Sequence, residues 1–466
     1  MKNILYILAI ITFTGTQAQS LNYTDLGVLF SSESTIGTAR FVGLNGAMGA
    51  VGGDLSATQK NPAGAAIFNH GQFSITGGVH NYKNSNNYYG SSTQNKSSDF
   101  NLDQIGGAFV FNDINSYSGW RKVVFSVNYQ RTNNFYTRDY FEGNGGYASF
   151  YRHPNAPGYH ENEDLDTSEH FENAQSQSLH NLIDGKSSKF SFSLAGQYNE
   201  HVYLGLGLNF HSLSLYQTTE LNELNEDNTG YLLDGLSIQN NSQTADGFSI
   251  NAGVILKPIH QLRLGLSIAS PTWYYNVLEE YDVTELIANI PDKGINAADP
   301  YRDNSYLEYS LSTPSKLTAS AAVVLGKLGF INIDYTYKVY NSLNLDGLPE
   351  FKDDNQYFTN ALQNTNNIVI GAEIRLGNLN LRGGAGYEQS PFKENLDPNY
   401  VDIIRLGNKY SGSLGAGYRF GNSILDLAYR ATKQNNEYDL YDGDKANPAT
   451  IDNKNTNLSI TYTYIF

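Results

Sequence analysis

Residues 457–466 read NLSITYTYIF: Leu458, Ile460, Tyr462, Tyr464 and Phe466 share one parity, and Asn457, Ser459, Thr461 and Thr463 share the other. Side chains of an extended chain point alternately to the two faces of a sheet, so this pattern describes a strand with one apolar and one polar face. Leu262, Leu264, Leu266 and Ile268 alternate in the same way with Arg263, Gly265, Ser267 and Ala269. So do Ile333, Tyr335, Tyr337 and Val339 with Asn332, Asp334, Thr336 and Lys338. Working outward from these runs, strands are expected at Gly71–Lys83, Phe100–Phe111, Trp120–Arg131, Lys189–Tyr198, His201–Gln217, Asp246–Lys257 and Gln261–Tyr275. A second set is expected at Tyr306–Leu325, Leu328–Tyr340, Asn366–Leu376, Leu379–Glu388, Lys409–Phe420, Ser423–Thr432 and Asn455–Phe466. That gives 14, an even number, as in single-chain bacterial outer-membrane barrels.

The connections sort by length. Asn199-Glu200, Pro258–His260, Gly326-Lys327, Gly377-Asn378 and Gly421-Asn422 are tight turns, with Asn112–Gly119 a little longer. Between them lie the polar segments Asn84–Asp99, Thr132–Ser188, Thr218–Ala245, Asn276–Ser305, Asn341–Thr365, Gln389–Asn408 and Lys433–Lys454. Short turns on one rim and long loops on the other predict an all-β, 14-stranded antiparallel transmembrane barrel, apolar toward lipid and polar toward a lumen. With the short turns periplasmic, both termini fall on the periplasmic side. A soluble β-sandwich or propeller would share the alternation, but no blade repeat is present and its loops need not sort by rim. Aromatic residues near strand ends, among them Trp120, Trp273, Tyr418 and Tyr464, suit interfacial girdles as well as ordinary sheet packing.

The N-terminal part reads differently. Lys2, the apolar run Ile4–Phe13 and the small-x-small site Thr16-Gln17-Ala18 predict a signal peptide over residues 1–18 and a mature chain from Gln19. Residues 37–68, GTARFVGLNGAMGAVGGDLSATQKNPAGAAIF, hold seven glycines and no strand alternation. Such spacing suits close backbone approach and positive φ better than an isolated helix. A compact segment of small residues before a run of strands predicts a plug, so the expected organisation is a hatch over 19–70 and a barrel over 71–466. Its largest loop is 132–188.

Composition removes several function classes. The chain has no cysteine, which excludes disulfide and thiolate chemistry. A net charge of −16 with no basic stripe argues against nucleic acid. No nucleophile, base and orienting group cluster in the sequence, so no enzyme is expected. The nine histidines show no ligand spacing, and the acidic groups Asp353-Asp354 and Asp439-x-x-Asp442-x-Asp444 read as solvated loop rather than a calcium site, so neither metal nor cofactor is expected.

Taken together, Thr38-Ala39-Arg40, the run Gly43–Gly53, Asp54-Leu55-Ser56-Ala57-Thr58 and above all Asn61-Pro62-Ala63-Gly64 resemble the FadL/OmpP1/TodX family of outer-membrane transport proteins. The resemblance is to its Bacteroidota branch, often labelled hemin receptor-like. Ser312–Leu317 resembles the family's Thr-Pro segment and Lys409–Phe420 a late family strand. The resemblance implies a hatch in the lumen and uptake of hydrophobic small molecules such as long-chain fatty acids, through an apolar pocket beside the hatch. It also implies a lateral exit at an indented third strand, yet Trp120–Arg131 contains neither Gly nor Pro to mark one. Outer-membrane lipid, lipopolysaccharide and the barrel assembly machinery are the implied surroundings, with Phe466 as a terminal insertion signal.

Arg40, Asp54, Lys60, Asn61, Pro62, Ala63 and Gly64 are the candidate hatch and gating residues. Strand parity places Arg263, Lys316, Asp334, Lys338, Glu373, Arg375, Arg382, Glu388, Arg419, Asp426 and Arg430 in the lumen. Most are expected in wall-to-hatch networks, with Arg382 and Arg419 the first choices for an anionic head group. The alternative function is a non-transporting scaffold associated with type IX secretion, binding a protein partner through its extracellular loops. A general polar porin is disfavoured by the plug. An apolar pocket beside the hatch, against a polar sealed lumen, discriminates transport from scaffold.

Overall fold

The computed structural model describes residues 20–115, 119–149, 171, 173–228, 230, 232–288, 301–394, 403–441 and 446–466. The expected signal peptide lies outside them, as do much of the segment 132–188 and Asp442 and Asp444 of the acidic group. In chain order the strands are β1 (Gln72–Tyr88), β2 (Ser91–Asn115), β3 (Trp120–Asn134 with Thr137–Gly143), β4 (Asn173–Tyr198), β5 (Val202–Glu226), β6 (Leu232–Ile259) and β7 (Leu262–Ala269 with Trp273–Ala288). They continue as β8 (Tyr301–Ser312 with Lys316–Val324), β9 (Gly329–Lys338 with Asn344–Asp346), β10 (Thr365–Leu376), β11 (Leu379–Glu388), β12 (Ile404–Phe420), β13 (Ser423–Tyr438) and β14 (Ala449–Ile465). Four strands are interrupted, so 18 hydrogen-bonded segments make 14 strands. Each pairs antiparallel with the next, and β14 closes on β1 from Gln72 opposite Ile465 to Asn87 opposite Thr450.

Local chemistry sets the breaks in the ladder. Asn199, Gly326, Gly377 and Gly421 hold φ of 49°, 59°, 63° and 60° at the first turn position. That conformation favours Gly or Asn and matches the strand twist in the two-residue hairpins at Gly377 and Gly421, while Asn199 opens the three-residue loop between Tyr198 and Val202. Pro271 and Pro314 lack an amide donor and interrupt β7 and β8 side by side. Across that break Thr313 N–H donates to Thr272 O at 3.0 Å, and Thr272 N–H donates to Thr313 Oγ1 at 2.9 Å.

The strands run well past their expected ends. Only Tyr89-Gly90 separates β1 from β2, and β5 and β6 continue to Glu226 and from Leu232, through segments that polarity marks as loop. The reason is visible along β5. Leu204, Leu206, Leu208 and Phe210 point outward and are exposed, while Gly205, Gly207 and Asn209 point inward. From Ser212 the parity is unchanged but the chemistry inverts. Ser212, Ser214, Thr218 and Glu220 now point outward, and Leu213, Leu215 and Leu221 are buried inside. A wall facing hydrocarbon and then water needs this reversal, and a search for apolar-outward alternation alone stops at the boundary.

The inverted zone encloses an apolar core inside the long-loop half. Helix α1 (Tyr23–Ser31) lies in it, capped by Asn22, which accepts from Asp25 N–H at 2.8 Å. Helix α2 (Ala39–Gly43) follows nearer the short-turn half, and α3 (Phe351–Ala361) packs on α1 from the connection after β9. Tyr23, Tyr309 and Phe351 form an edge-on triangle with ring centroids 5.0–5.6 Å apart. Ser20 and Leu21 donate their amides to Gln239 and Gln217, so the first described residues lie in the long-loop half and not beside the short turns, where both termini were expected. Phe466 lies at the short-turn rim, its amide donating to Gly71 O at 2.8 Å.

Replacing Leu206 by Arg puts a charge on the outward apolar band and should destabilise the folded barrel by about 2–4 kcal/mol. Asn222→Arg, outward in the inverted zone, should stay within about 0.5 kcal/mol. Urea titration of the vesicle-embedded protein, followed by the heat-dependent gel shift, measures both.

Candidate functional site

Residues 33–68 thread the lumen and bond to strands around its circumference. Thr38 Oγ1 accepts from Phe41 N–H at the start of α2 and donates to both oxygens of Asp54 at 2.8–2.9 Å. Asp54 also accepts from the amides of Ser56 and Ala57 at 2.8 and 3.3 Å. Burial pushes the Asp54 carboxyl up, against the opposing charge of Arg40. Arg40 Nη1 donates to Gly53 O at 2.9 Å while its Nε meets Glu373 on β10 at 3.0 Å. One guanidinium therefore ties the segment to itself and to the wall.

Asn61 makes a junction of three parts of the molecule. Its Oδ1 accepts from Ala63 N–H at 3.1 Å, and its Nδ2 donates to Gly49 O at 2.9 Å and to Val254 O of β6 at 3.2 Å. Pro62 opens a 3-10 turn over Pro62–Ile67, its fixed φ suiting that first position. The turn rests on glycines of the wall. A Cβ at Gly205 would stand 2.3 Å from Ala63 N, and one at Gly253 2.1 Å from Asn61 Oδ1. Within the segment, a Cβ at Gly52 would stand 2.5 Å from Gly64 Cα. The wall glycines are the half of this fit that sequence reading missed; their signal is glycine on the inward parity of β5 and β6.

The lumen charges divide into two groups. Glu373 gathers Arg40, Arg375 at 2.9 Å and Arg382 at 2.8 Å, and Arg382 also meets Asp426 at 2.5 Å. Asp334 accepts from the amides of Met48 and Gly49 at 3.1 Å, and Arg263 donates to Val51 O at 3.0 Å. These residues fasten the inner segment. Arg382 is thus fully engaged, and Arg419 is exposed at the short-turn rim, donating to Gly421 O at 3.2 Å. Among the described residues neither lines the cavities beside the inner segment, since parity gives a face of the sheet but not the height along the barrel.

The second group surrounds a cavity of about 150 Å³ above the inner segment. Lys60, Lys189, Lys316, Lys338, Lys409 and Arg430 line it against two carboxylates, Glu33 and Glu388. Lys316 meets Glu33 at 2.7 Å and Lys409 meets Glu388 at 2.6 Å. Lys338 donates to Ser31 O and to Tyr340 OH, and Arg430 donates to Asn45 Oδ1 at 2.7 Å. Burial opposes ionisation of Glu33, but the charges of Lys316, Lys189 and Lys338 outweigh it and hold the carboxyl well below its usual range. In a chain of net charge −16 this is a concentration of positive charge. Lys189 and Lys409 are additions to the sequence-derived set. Each opens an expected strand on the inward parity, of Ser191 and Ser193 or of Ser411 and Ser413, so the signal for both was present in the alternation. The lining of this cavity also includes Phe41, Ile268, Val369 and Tyr387, and a larger set of apolar side chains fills the core around α1.

At the third strand the ladder is complete on one side only: among the described residues β3 has no β2 partner beyond Gln130, carries a bulge at Arg131/Asn133 and is interrupted before Thr137. β3 pairs with β2 from Gln104 opposite Gln130 to Asn112 opposite Lys122, and with β4 along Trp120–Asn134. The Pro-containing interruptions fall on β7 and β8 instead.

A family model described as "F plasmid transfer operon, TraF, protein" matches residues 74–361, more than half of the chain, and the chain belongs to that family. No curated protein matches its sequence. Among solved structures it is similar to a Pseudomonas aeruginosa FadL homologue, with TM-score 0.60 and 16% identity over 93% of this chain and 99% of that one. It is also similar to the P. putida toluene transporter TodX (TM-score 0.55, 13% identity, 94% and 99% covered). The Ralstonia pickettii toluene transporter TbuX aligns comparably (TM-score 0.53, 14% identity, 93% and 99% covered). At these identities the likeness is one of fold.

Gly253→Val should force Asn61 from its seat while leaving the strand ladder intact. Overpacking of this kind costs about 1–3 kcal/mol, so trypsin should cut at Arg40 or Lys60 roughly tenfold faster or more. Gly412→Val, whose Cβ would meet nothing closer than 4.0 Å, should leave the cleavage rate unchanged.

Proposed function

We propose that this TraF-family member is an outer-membrane channel for uptake of hydrophobic small molecules bearing an acidic head group, long-chain fatty acids among them. The observation that carries the reading is the cavity with six basic and two acidic side chains, set between the inner segment and the apolar core around α1. An amphiphile has the matching polarity: a carboxylate can join Lys189, Lys316 or Lys338, and its chain can displace apolar side chains of that core. The toluene transporters TodX and TbuX lend support by fold alone.

In this reading residues 19–70 are the hatch, and Asn61 with Pro62 and the Arg40–Glu373 contact set its position. The polypeptide is exported by residues 1–18, its short turns and C-terminus face the periplasm, and Phe466 serves as the terminal insertion signal. The Bacteroidota, hemin receptor-like branch belongs to the same proposal, as do the lipopolysaccharide and assembly-machinery contacts.

A second reading is favoured by one observation: the long-loop half is filled by α1, α3 and their apolar core. A barrel sealed in this way suits a scaffold that docks another protein on its long-loop rim.

Palmitate binding to the purified protein separates the two. Charge-assisted hydrogen bonds contribute about 1.5–3 kcal/mol, so Lys189→Gln with Lys316→Gln should weaken binding roughly tenfold to a hundredfold. The affinity for the uncharged hexadecanol should stay near its wild-type value. Absence of saturable palmitate binding by the wild-type protein would move the assignment to the scaffold.

A further inference from the structure

A second cavity, of about 200 Å³, adjoins the cationic one and shares Glu33, Ser34, Thr35, Glu388, Lys409 and Arg430 with it. One side of its wall is a panel of inward side chains on three adjacent strands, while Leu29, Phe135, Ile183, Ile404, Leu406 and Ile451 line other parts of it. On β1 and β14, His80 stands opposite Asn457, Tyr82 opposite Asn455 and Asn84 opposite Asn453. On β13, Arg430, Thr432 and Gln434 stand opposite Asn457, Asn455 and Asn453 in turn. This side of the cavity is rich in carboxamides, in contrast to the apolar side chains that line the rest of it.

Three polar atoms of the panel are buried and make no hydrogen bond with the protein: Asn84 Oδ1, Asn455 Oδ1 and Asn457 Nδ2. Asn84 and Asn457 are only 3% and 8% exposed. The orientation of Asn84 is set by its neighbours, since its Nδ2 donates to Asp139 Oδ1 at 2.8 Å and to Thr137 Oγ1 at 2.7 Å, leaving the oxygen as the free end. Asn457 Oδ1 accepts from Ser459 Oγ at 3.2 Å, which leaves its amide nitrogen as the free donor. Buried polar groups need partners, and these three call for a ligand that donates twice and accepts once. A hydrocarbon tail does neither and a carboxylate only accepts. A hydroxyl or a secondary amide does both.

We propose that the ligand carries, beside its acidic group, a neutral segment bearing hydroxyl or amide groups, which binds the Asn84–Asn455–Asn457 panel while the acidic group binds the lysines. The inference rests on reading the cationic cavity as the seat of an acidic amphiphile, and it narrows the substrate from bare fatty acids to acyl compounds with an extended polar head. The panel selects by hydrogen bonds. Lys189 and Lys316 attract any anion of suitable size, but only a head with donors and acceptors satisfies the asparagines. A site built to hydrogen-bond a group discriminates strongly against the analogue that lacks it, because its own buried atoms are then left unpaired.

The test compares palmitate with N-palmitoylserine on the full-length protein in detergent; both carry the same acyl chain and one carboxylate, and only the second has an amide and a hydroxyl. The wild-type protein should bind N-palmitoylserine about tenfold more tightly or better. Asn457→Ala and, separately, Asn455→Ala should each reduce that preference several-fold, leaving palmitate affinity within about twofold. Lys316→Gln should weaken both probes in parallel. Equal affinity of the wild-type protein for the two probes, or a preference that survives both asparagine variants, overturns the inference and leaves palmitate uptake standing. Failure of the wild-type protein to bind either probe removes the uptake reading and this inference together.

Discussion

A backbone amide or carbonyl facing hydrocarbon without a partner costs several kcal/mol, and this constraint organises the whole molecule. Sheet structure meets it only by closing on itself, as β14 does on β1 over sixteen consecutive residue pairs. Closure fixes an inside and an outside for every strand, and the side-chain period of two then assigns each residue to one of them. What the outside must be changes with height. Along β5 the outward set passes from Leu204, Leu206, Leu208 and Phe210 to Ser212, Ser214 and Thr218 without a change of register. The inward set changes the opposite way, from glycine and asparagine to leucine, and that second change creates the core in which α1 and α3 lie.

The lower lumen follows from the same closure. A barrel of this size leaves space that side chains alone do not fill, and residues 37–68 fill it with backbone. Backbone can approach a wall closely only where the wall lacks Cβ atoms, which is why Gly205 and Gly253 face Asn61, Pro62 and Ala63. The polar groups carried in with that backbone are satisfied by the wall: Asp334 receives two amides, Arg263 a carbonyl and Glu373 the Arg40 guanidinium. The charges there are structural partners. Above this layer the same kind of residue surrounds a cavity, and six cations share two carboxylates.

Much of this was legible in the residues. Each of the 14 expected strands overlaps one observed strand, because hydrogen-bonded closure and lipid contact leave a strong period-two signal. The loops were misread where the outward face becomes polar, since alternation with polar residues outside and scattered leucines inside resembles an irregular segment. Asn61-Pro62 was recognisable as a turn, but its seat was not, because a glycine on a distant strand carries no mark of what approaches it. Height along the barrel was the other missing quantity. Arg382 and Arg419 have the inward parity of Arg430, yet one is consumed by Glu373 and Asp426, one sits at the rim, and of the three only Arg430 lines the cavities beside the inner segment.

The reversal of polarity along β5 is the central claim, and the cysteine-free chain allows a direct measurement of it. Single cysteines at the outward positions Leu206, Leu208, Phe210, Thr218 and Asn222 can be challenged in lipid vesicles with a membrane-impermeant maleimide. Cysteines at 206, 208 and 210 should stay unmodified and those at 218 and 222 should react. Equal reaction at all five positions would contradict the lipid boundary, and with it the membrane barrel.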